Sequence, residues 1–430
     1  MPPLTHPLPG MLLTDHTFTI PLAHDRPDGE QITVFAREVA APGPGAGRLP
    51  WLVFFQGGPG HASPRPPAHA SWLKRALQDY RVLLLDQRGT GLSTPVTFQT
   101  LARLSTPQAM ADYLKHFRAD AIIQDAEWIR RQLLGEGERW SVLGQSYGGF
   151  CVTHYLSAAP QALSAAILTG GLPPLERSAD DIYRATYRRV IAKNKLYFER
   201  YPDDAGRARA IVDYLGRHEV TLPDGGRLSP RRFQQLGIAF GASDGFEQVH
   251  YLLEEAFVPG AGGAEISYTF LRGVEKAQDF ETNPIYALLH EAEYCQHAAS
   301  RWSAERIRAE YPEFDLSPDR PVVFTGEMIY PWMFDEYRFL QPLKTAAEIL
   351  AEFEGWPRLY DPAVLRANLV PCAAAIYYDD MYVERAFSEE TAQTIHGLKA
   401  WVTNEYQHNG LRADGEVVLG RLLGMLRGDK

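Results

Sequence analysis

Cysteine is nearly absent from this chain, which has three in 430 residues: Cys151, Cys295 and Cys372. Their number is odd and they lie far apart, with no CxxC pair and no Cys/His cluster. That argues against a disulfide framework or a zinc site, and for buried thiols in a reducing compartment. Long apolar runs are also missing. No stretch approaches the roughly 18 apolar residues of a membrane-spanning helix. The opening residues, MPPLTHPLPG, lack both the basic and the apolar region of a secretory leader. The sequence therefore reads as cytoplasmic, with no membrane partner. Positive charge is in deficit, with 43 Lys and Arg against 53 Asp and Glu and a formal net charge of −10. Because a phosphate backbone recruits Lys and Arg, nucleic acid is disfavoured as a partner, and a neutral or cationic substrate is weakly favoured. There is no internal repeat or low-complexity tract.

What is present is an ordinary globular composition, 45% hydrophobic and 22% charged. The length suits a large core with a major insertion, or two domains. Residues 11–20 and 32–39 are β-rich and partly alternating, as antiparallel strands opening a sheet would be. Short apolar runs without alternation follow at Trp51–Phe55, Val82–Leu85, Ser141–Leu143, Ala165–Leu168 and Cys372–Tyr377. Such runs are buried on both faces, as in a parallel sheet. Helical patterns at Ala121–Leu134 and Tyr147–Ala158 alternate with them, which predicts an α/β, mostly parallel, doubly wound sheet. The rhythm breaks after Gly171. Residues 175–370 are rich in helical patterns such as Asp180–Arg200 and Ala346–Glu354, with a loop of little order at 258–264. We expect a core of residues 1–174 and 371–430, with 175–370 inserted as a mainly helical cap over the strand ends, where ligands bind in open α/β sheets.

The strongest local signal is Gly144-Gln145-Ser146-Tyr147-Gly148-Gly149, a G-x-S-x-G motif between an apolar strand and a helix. A sharp turn of this kind exposes Ser146 as a nucleophile, keeps neighbouring side chains out of the way, and sets the positive helix end beneath a developing oxyanion. The motif in that context predicts an α/β-hydrolase. A second Gly-rich turn, Gln56-Gly57-Gly58-Pro59-Gly60, leaves an earlier strand. Gly58 and Tyr147 are the expected backbone donors of an oxyanion hole. No Gly-Lys-Ser/Thr follows, so the turn is not a phosphate loop. Asp86-Gln87-Arg88-Gly89-Thr90-Gly91-Leu92-Ser93 reads as a brace for the loops around the site.

In this fold the acid and then the base follow the serine in chain order. Pro371–Tyr378 is a late strand that ends in Asp379-Asp380-Met381. Of 13 histidines, only His396 and His408 come later. His396 falls within a helical run, Ser388–Leu398, before the apolar stretch Lys399–Thr403, whereas His408 lies in a loop just after that stretch and is the better base. From the residues alone, Asp379 and Asp380 are equivalent acids.

Taken together, these motifs resemble the prolyl aminopeptidases, or proline iminopeptidases, in their longer bacterial form. The first three motifs in this order are specific. The likeness covers the core well and the cap more loosely. The family often has His where Gln56 stands, a change that should spare backbone oxyanion donors. The family's acid precedes Met in an Asp-Met pair, which implies Asp380. Family members remove an N-terminal proline, held by cap glutamates. The resemblance implies Glu327, in Glu327-Met328-Ile329-Tyr330, and a second glutamate, Glu291, with Glu293 as its competitor in Leu288-Leu289-His290-Glu291-Ala292-Glu293-Tyr294. A buried carboxylate pair would select a cationic N-terminus. The implied reaction is a serine acyl-transfer on small peptides that begin with proline, and it needs no metal or organic cofactor. A capped esterase or amidase, or a non-catalytic binding protein on the same scaffold, are the alternatives. The sequence is silent on oligomeric state.

Overall fold

The structure, a computed structural model, describes residues 4–429. The first three residues of the expected core, and the last, lie outside the described residues. The strands are β1 (Leu4–Leu8), β2 (Met11–Pro21), β3 (Gln31–Ala40), β4 (Trp51–Phe55), β5 (Arg81–Asp86), β6 (Trp140–Gln145), β7 (Leu163–Thr169), β8 (Phe257–Gly260), β9 (Gly263–Ile266), β10 (Cys372–Tyr377) and β11 (Leu398–Thr403). All but β8 and β9 form one nine-stranded sheet in the order β1-β2-β3-β5-β4-β6-β7-β10-β11. The first three strands pair antiparallel, and from β5 to β11 every pairing is parallel.

The unbroken apolar runs explain the parallel block. In β4, Trp51, Val53 and Phe55 enter the core on one face of the sheet, while Leu52 and Phe54 enter the core on the other. Residues i and i+2 share a face of a strand, so a strand covered on both sides must be apolar throughout. One face is covered by helices Ser71–Ala76 and Gly415–Arg427, which also pack on each other. The other is covered by helices Ala119–Leu134 and Tyr147–Ala158. The helix Tyr147–Ala158 is buried from Tyr147 to Leu156 on all sides, which is why its sequence shows no polar stripe.

Between β7 and β10 the chain forms mostly helices, the longest Ala179–Arg200. The segment expected to be a disordered loop at 258–264 is instead the hairpin β8–β9, paired from Phe257 with Ile266 to Gly260 with Gly263. Backbone pairing orders a Pro/Gly tract there that has no side-chain pattern to read. The helical run expected at Ser388–Leu398 is also corrected: the helix spans Arg385–Thr394. Gly397 then turns at φ 75° into β11.

β4 is flanked by β5 on one side and β6 on the other. The chain thus reverses its winding direction between β4 and β6. A crevice opens at such a point beyond the carboxyl ends of the strands, and two of the sequence motifs emerge there.

Candidate active site

Ser146 is the single residue between β6 and the helix Tyr147–Ala158, at φ 54° and ψ −128°. A non-glycine residue with positive φ is strained, and such strain persists only where the surroundings enforce it. Here they do. A Cβ on Gly144 would sit 2.3 Å from the Gly148 carbonyl oxygen, and one on Gly148 would sit 1.9 Å from the carbonyl oxygen of Phe55. The elbow therefore closes only with glycine at both positions. It leaves Ser146 half-buried at the sheet edge.

The turn after β4 lies directly beside it. A side chain at Gly57 would approach Ser146 Cβ to 2.9 Å. The Gln56 carbonyl of this turn accepts a bond from Gln87 Nε2 at 3.0 Å. The Asp86–Ser93 motif is a brace. Asp86 is fully buried, accepts from Ser63 N (3.1 Å) and Leu92 N (2.8 Å), and pairs with Arg65. Ser93 Oγ donates to the Asp86 carbonyl (2.6 Å) and accepts from Phe35 N (2.9 Å).

Asp380 follows β10 and His408 follows β11, so both stand at the same sheet edge as Ser146. His408 Nδ1 donates to Asp380 Oδ2 at 2.7 Å, and both residues are buried. The other oxygen, Oδ1, accepts from Tyr382 N (2.9 Å) and Val383 N (3.1 Å). Asp379 is half-buried and does not touch His408. His396 is exposed and lies before β11, at the opposite end of the strand. Topology thus sets His408 apart from His396, and turn geometry sets Asp380, rather than Asp379, against the ring, the one choice that the residues alone left open. Burial opposes the charge on His408, but the Asp380 carboxylate, with Glu327 beyond it, holds its pKa above that of free histidine.

Ser146, His408 and Glu327 line one cavity of about 300 Å³, together with Gly57, Gly58, Ile238, Phe280, Tyr286, Tyr382 and Arg412. Ser146 Oγ has no hydrogen-bond partner among the described residues. A cleft of about 710 Å³ along Leu175–Asp180 and Tyr294–Ala299 is larger but holds none of these groups.

Glu327 reaches the cavity from the inserted segment, accepts from Tyr286 Oη at 3.1 Å, and keeps 14% of its side chain exposed. Burial pushes its carboxyl pKa up to about 7. Glu291 does not reach the cavity, contrary to the sequence expectation. Its carboxylate accepts from Ala304 N (2.8 Å) and Ser303 N (3.1 Å) at the start of another helical segment. Glu293 lies closer to Glu327 in effect: its Oε1 is 3.1 Å from His290 Nδ1, whose Nε2 is 4.0 Å from Glu327 Oε1. The sequence quoted His290 only as a neighbour in the Leu288–Tyr294 motif. A histidine preceded by Leu288 and Leu289 and followed by two carboxylates, Glu291 and Glu293, was the signal that could have drawn attention to it.

Comparison with known proteins agrees with this architecture. The alpha/beta hydrolase fold family matches residues 50–255. A proline iminopeptidase of Aeromonas sobria is 50% identical over 426 residues, 99% of each chain. The chain belongs to the proline iminopeptidase family. A second family member, from Aspergillus aculeatus, is 35% identical over 429 residues, covering 98% of this chain and 95% of that one. A solved proline iminopeptidase of Mycobacterium smegmatis overlaps 96% of this chain and 98% of its own at 15% identity and a TM-score of 0.44.

Proposed function

We propose that this protein is a serine aminopeptidase that releases N-terminal proline from small peptides. The observation that carries the reading is the Glu327 carboxylate, which opens into the same cavity as Ser146 and His408. A carboxylate there anchors a cationic amino terminus and fixes where the substrate stops. The apolar walls, Ile238, Phe280, Tyr286 and Tyr382, suit a pyrrolidine ring.

In this reading residues 175–370 act as the cap, and Ser146, Asp380 and His408 act as the triad. Ser146 Oγ attacks the prolyl carbonyl while His408 takes its proton. Asp380 fixes the imidazole tautomer and stabilises the imidazolium. The amides of Gly58 and Tyr147 receive the oxyanion, at the positive end of the helix Tyr147–Ala158. His408 then protonates the departing amine, and water activated by the same imidazole releases proline from the acyl-enzyme. The three cysteines are free and buried, which supports a reducing, cytoplasmic setting. No helix among the described residues is long and apolar enough to cross a membrane.

The test is an arylamide panel on purified protein: prolyl, alanyl and N-acetylprolyl p-nitroanilides, with p-nitrophenyl acetate. Prolyl p-nitroanilide should be the best amide and the acetylated form inert. Equal cleavage of the free and acetylated forms would favour the esterase or amidase reading.

A further inference from the structure

His290 lies behind the cavity wall with 2% of its surface exposed. One ring nitrogen is 3.1 Å from Glu293 Oε1 and the other 4.0 Å from Glu327 Oε1. Among the described residues neither nitrogen has a well-directed hydrogen bond, and Glu293 Oε2 has no partner. The ring is walled by Tyr286 and Tyr294, with centroids at 4.8 and 5.9 Å. The charged groups that bear on it are Glu293, Glu327 and Glu291, and the last is already engaged by two backbone amides.

Each ring nitrogen thus has a carboxylate oxygen within 4.0 Å. A neutral imidazole has one N–H and one lone pair. It would aim that lone pair at a carboxylate oxygen, whereas an imidazolium donates from both sides. Burying two carboxylates together is costly unless positive charge accompanies them. One imidazolium between two carboxylates leaves a single negative charge uncompensated, and Glu327 is the member that faces the cavity.

We propose that His290 is a positioning residue that stays protonated between Glu293 and Glu327, favours their ionised forms against burial, and so leaves room for one further cation, the amino terminus of the substrate. The idea rests on the aminopeptidase reading and adds to it the group that sets the charge of the anchor. Burial raises the carboxyl pKa of both Glu293 and Glu327, and the His290 charge opposes that rise on each. Burial opposes the charge on His290, yet the flanking carboxylates push its pKa up to about 9. The His290 charge in turn offsets part of the burial that raises Glu327 to about 7. Removing that charge should raise the carboxyl pKa further. At neutral pH Glu327 would then be largely protonated and a poor anchor.

The test compares wild type with His290→Gln. KM and kcat for proline p-nitroanilide are followed from pH 6 to pH 9.5, with p-nitrophenyl acetate as a substrate lacking an amino terminus. An opposite charge at this distance displaces a pKa by about one to three units. The variant should therefore show a KM raised about tenfold or more at pH 7, recovering as pH rises, while ester turnover falls far less. The same pH profile as wild type, or equal losses on ester and amide at every pH, would overturn the proposal. Should the variant fail to fold, imidazole NMR of histidine-labelled wild type decides. His290 charged at pH 7.5 supports the idea, and a neutral ring there refutes it. A wild type that ignores prolyl arylamides fails the aminopeptidase reading instead, a result distinct from either.

Discussion

Asp380 and Glu327 are both carboxylates near one cavity, one from the sheet edge and one from the inserted segment, and their surroundings differ in kind. Asp380 is answered on both oxygens, by His408 and by two backbone amides. Glu327 has one phenol hydroxyl and an imidazole 4.0 Å away. Satisfied buried polar groups rigidify a site, while an unsatisfied one in a low dielectric is costly. The sheet side is thus complete in the free protein and holds one geometry. On the proposed reading the inserted side is short of positive charge, and a substrate cation would complete it. On that reading, preorganised chemistry and recognition through charge deficit come from different parts of the chain.

That contrast breaks most severely at the nucleophile. Ser146→Ala should lower kcat on proline p-nitroanilide by roughly 10⁴–10⁶-fold. The melting temperature should barely change, since a smaller side chain relieves rather than adds crowding at the elbow. Activity retained within tenfold would remove Ser146 from the proposed chemistry. Next in size, Asp380→Asn should cost about 10⁴-fold, because the amide can hold the wrong imidazole tautomer. Asp379→Asn, which leaves His408 untouched, should stay within a few-fold. The reverse ranking would mean that the turn after β10 presents the other carboxylate in solution.

Much of the sheet side was legible in the sequence, and physics explains why. Strand Trp51–Phe55 and the helix Tyr147–Ala158 have the bounds their patterns predict, because total burial leaves an unbroken apolar signature. The order serine, acid, base follows from topology, since each residue must sit at the end of a core strand. The inserted side resisted. On the sheet side only the edge strand β1 resisted too, since it contains a His-Pro step and pairs with β2 alone. The hairpin β8–β9 has strands of four residues each, interrupted by Pro259, Gly260 and Gly263, too short to carry a periodicity. The choice between Glu291 and Glu293 turns on which way one short turn faces. Residues Glu291–Tyr294 form a 3₁₀ turn, which splays positions i and i+2 apart, and that local geometry is invisible to an alternation count. A histidine in an apolar stretch reads as core until the carboxylates around it are placed.

On the inserted side the largest expected effect belongs to Glu327→Gln. Removing the anchor's charge should cost kcat/KM for proline p-nitroanilide on the order of 10²-fold, within the roughly 2–5 kcal/mol of deleting one partner of a buried charge pair. Hydrolysis of p-nitrophenyl acetate, which has no amino terminus, should fall far less. Matching losses on both substrates would assign Glu327 to general support of the site and erase the distinction between the two sides.

The smallest effect should sharpen where the inserted side's recognition ends. Glu291 neighbours the charge cluster in sequence, but both of its oxygens are taken by the amides of Ser303 and Ala304. Its work is therefore structural. Glu291→Gln keeps one acceptor oxygen and turns the other into a donor facing an N–H, a mismatch worth about 1–3 kcal/mol. The urea midpoint should drop accordingly, while KM for proline p-nitroanilide stays within about twofold of wild type. Glu293→Gln, two residues on, should do the opposite: it releases His290 to Glu327 alone, cancels the leftover negative charge that the substrate cation needs, and so raises KM. A variant of Glu291 that raised KM as much as one of Glu293 would show that the anchor extends past His290 to a third carboxylate.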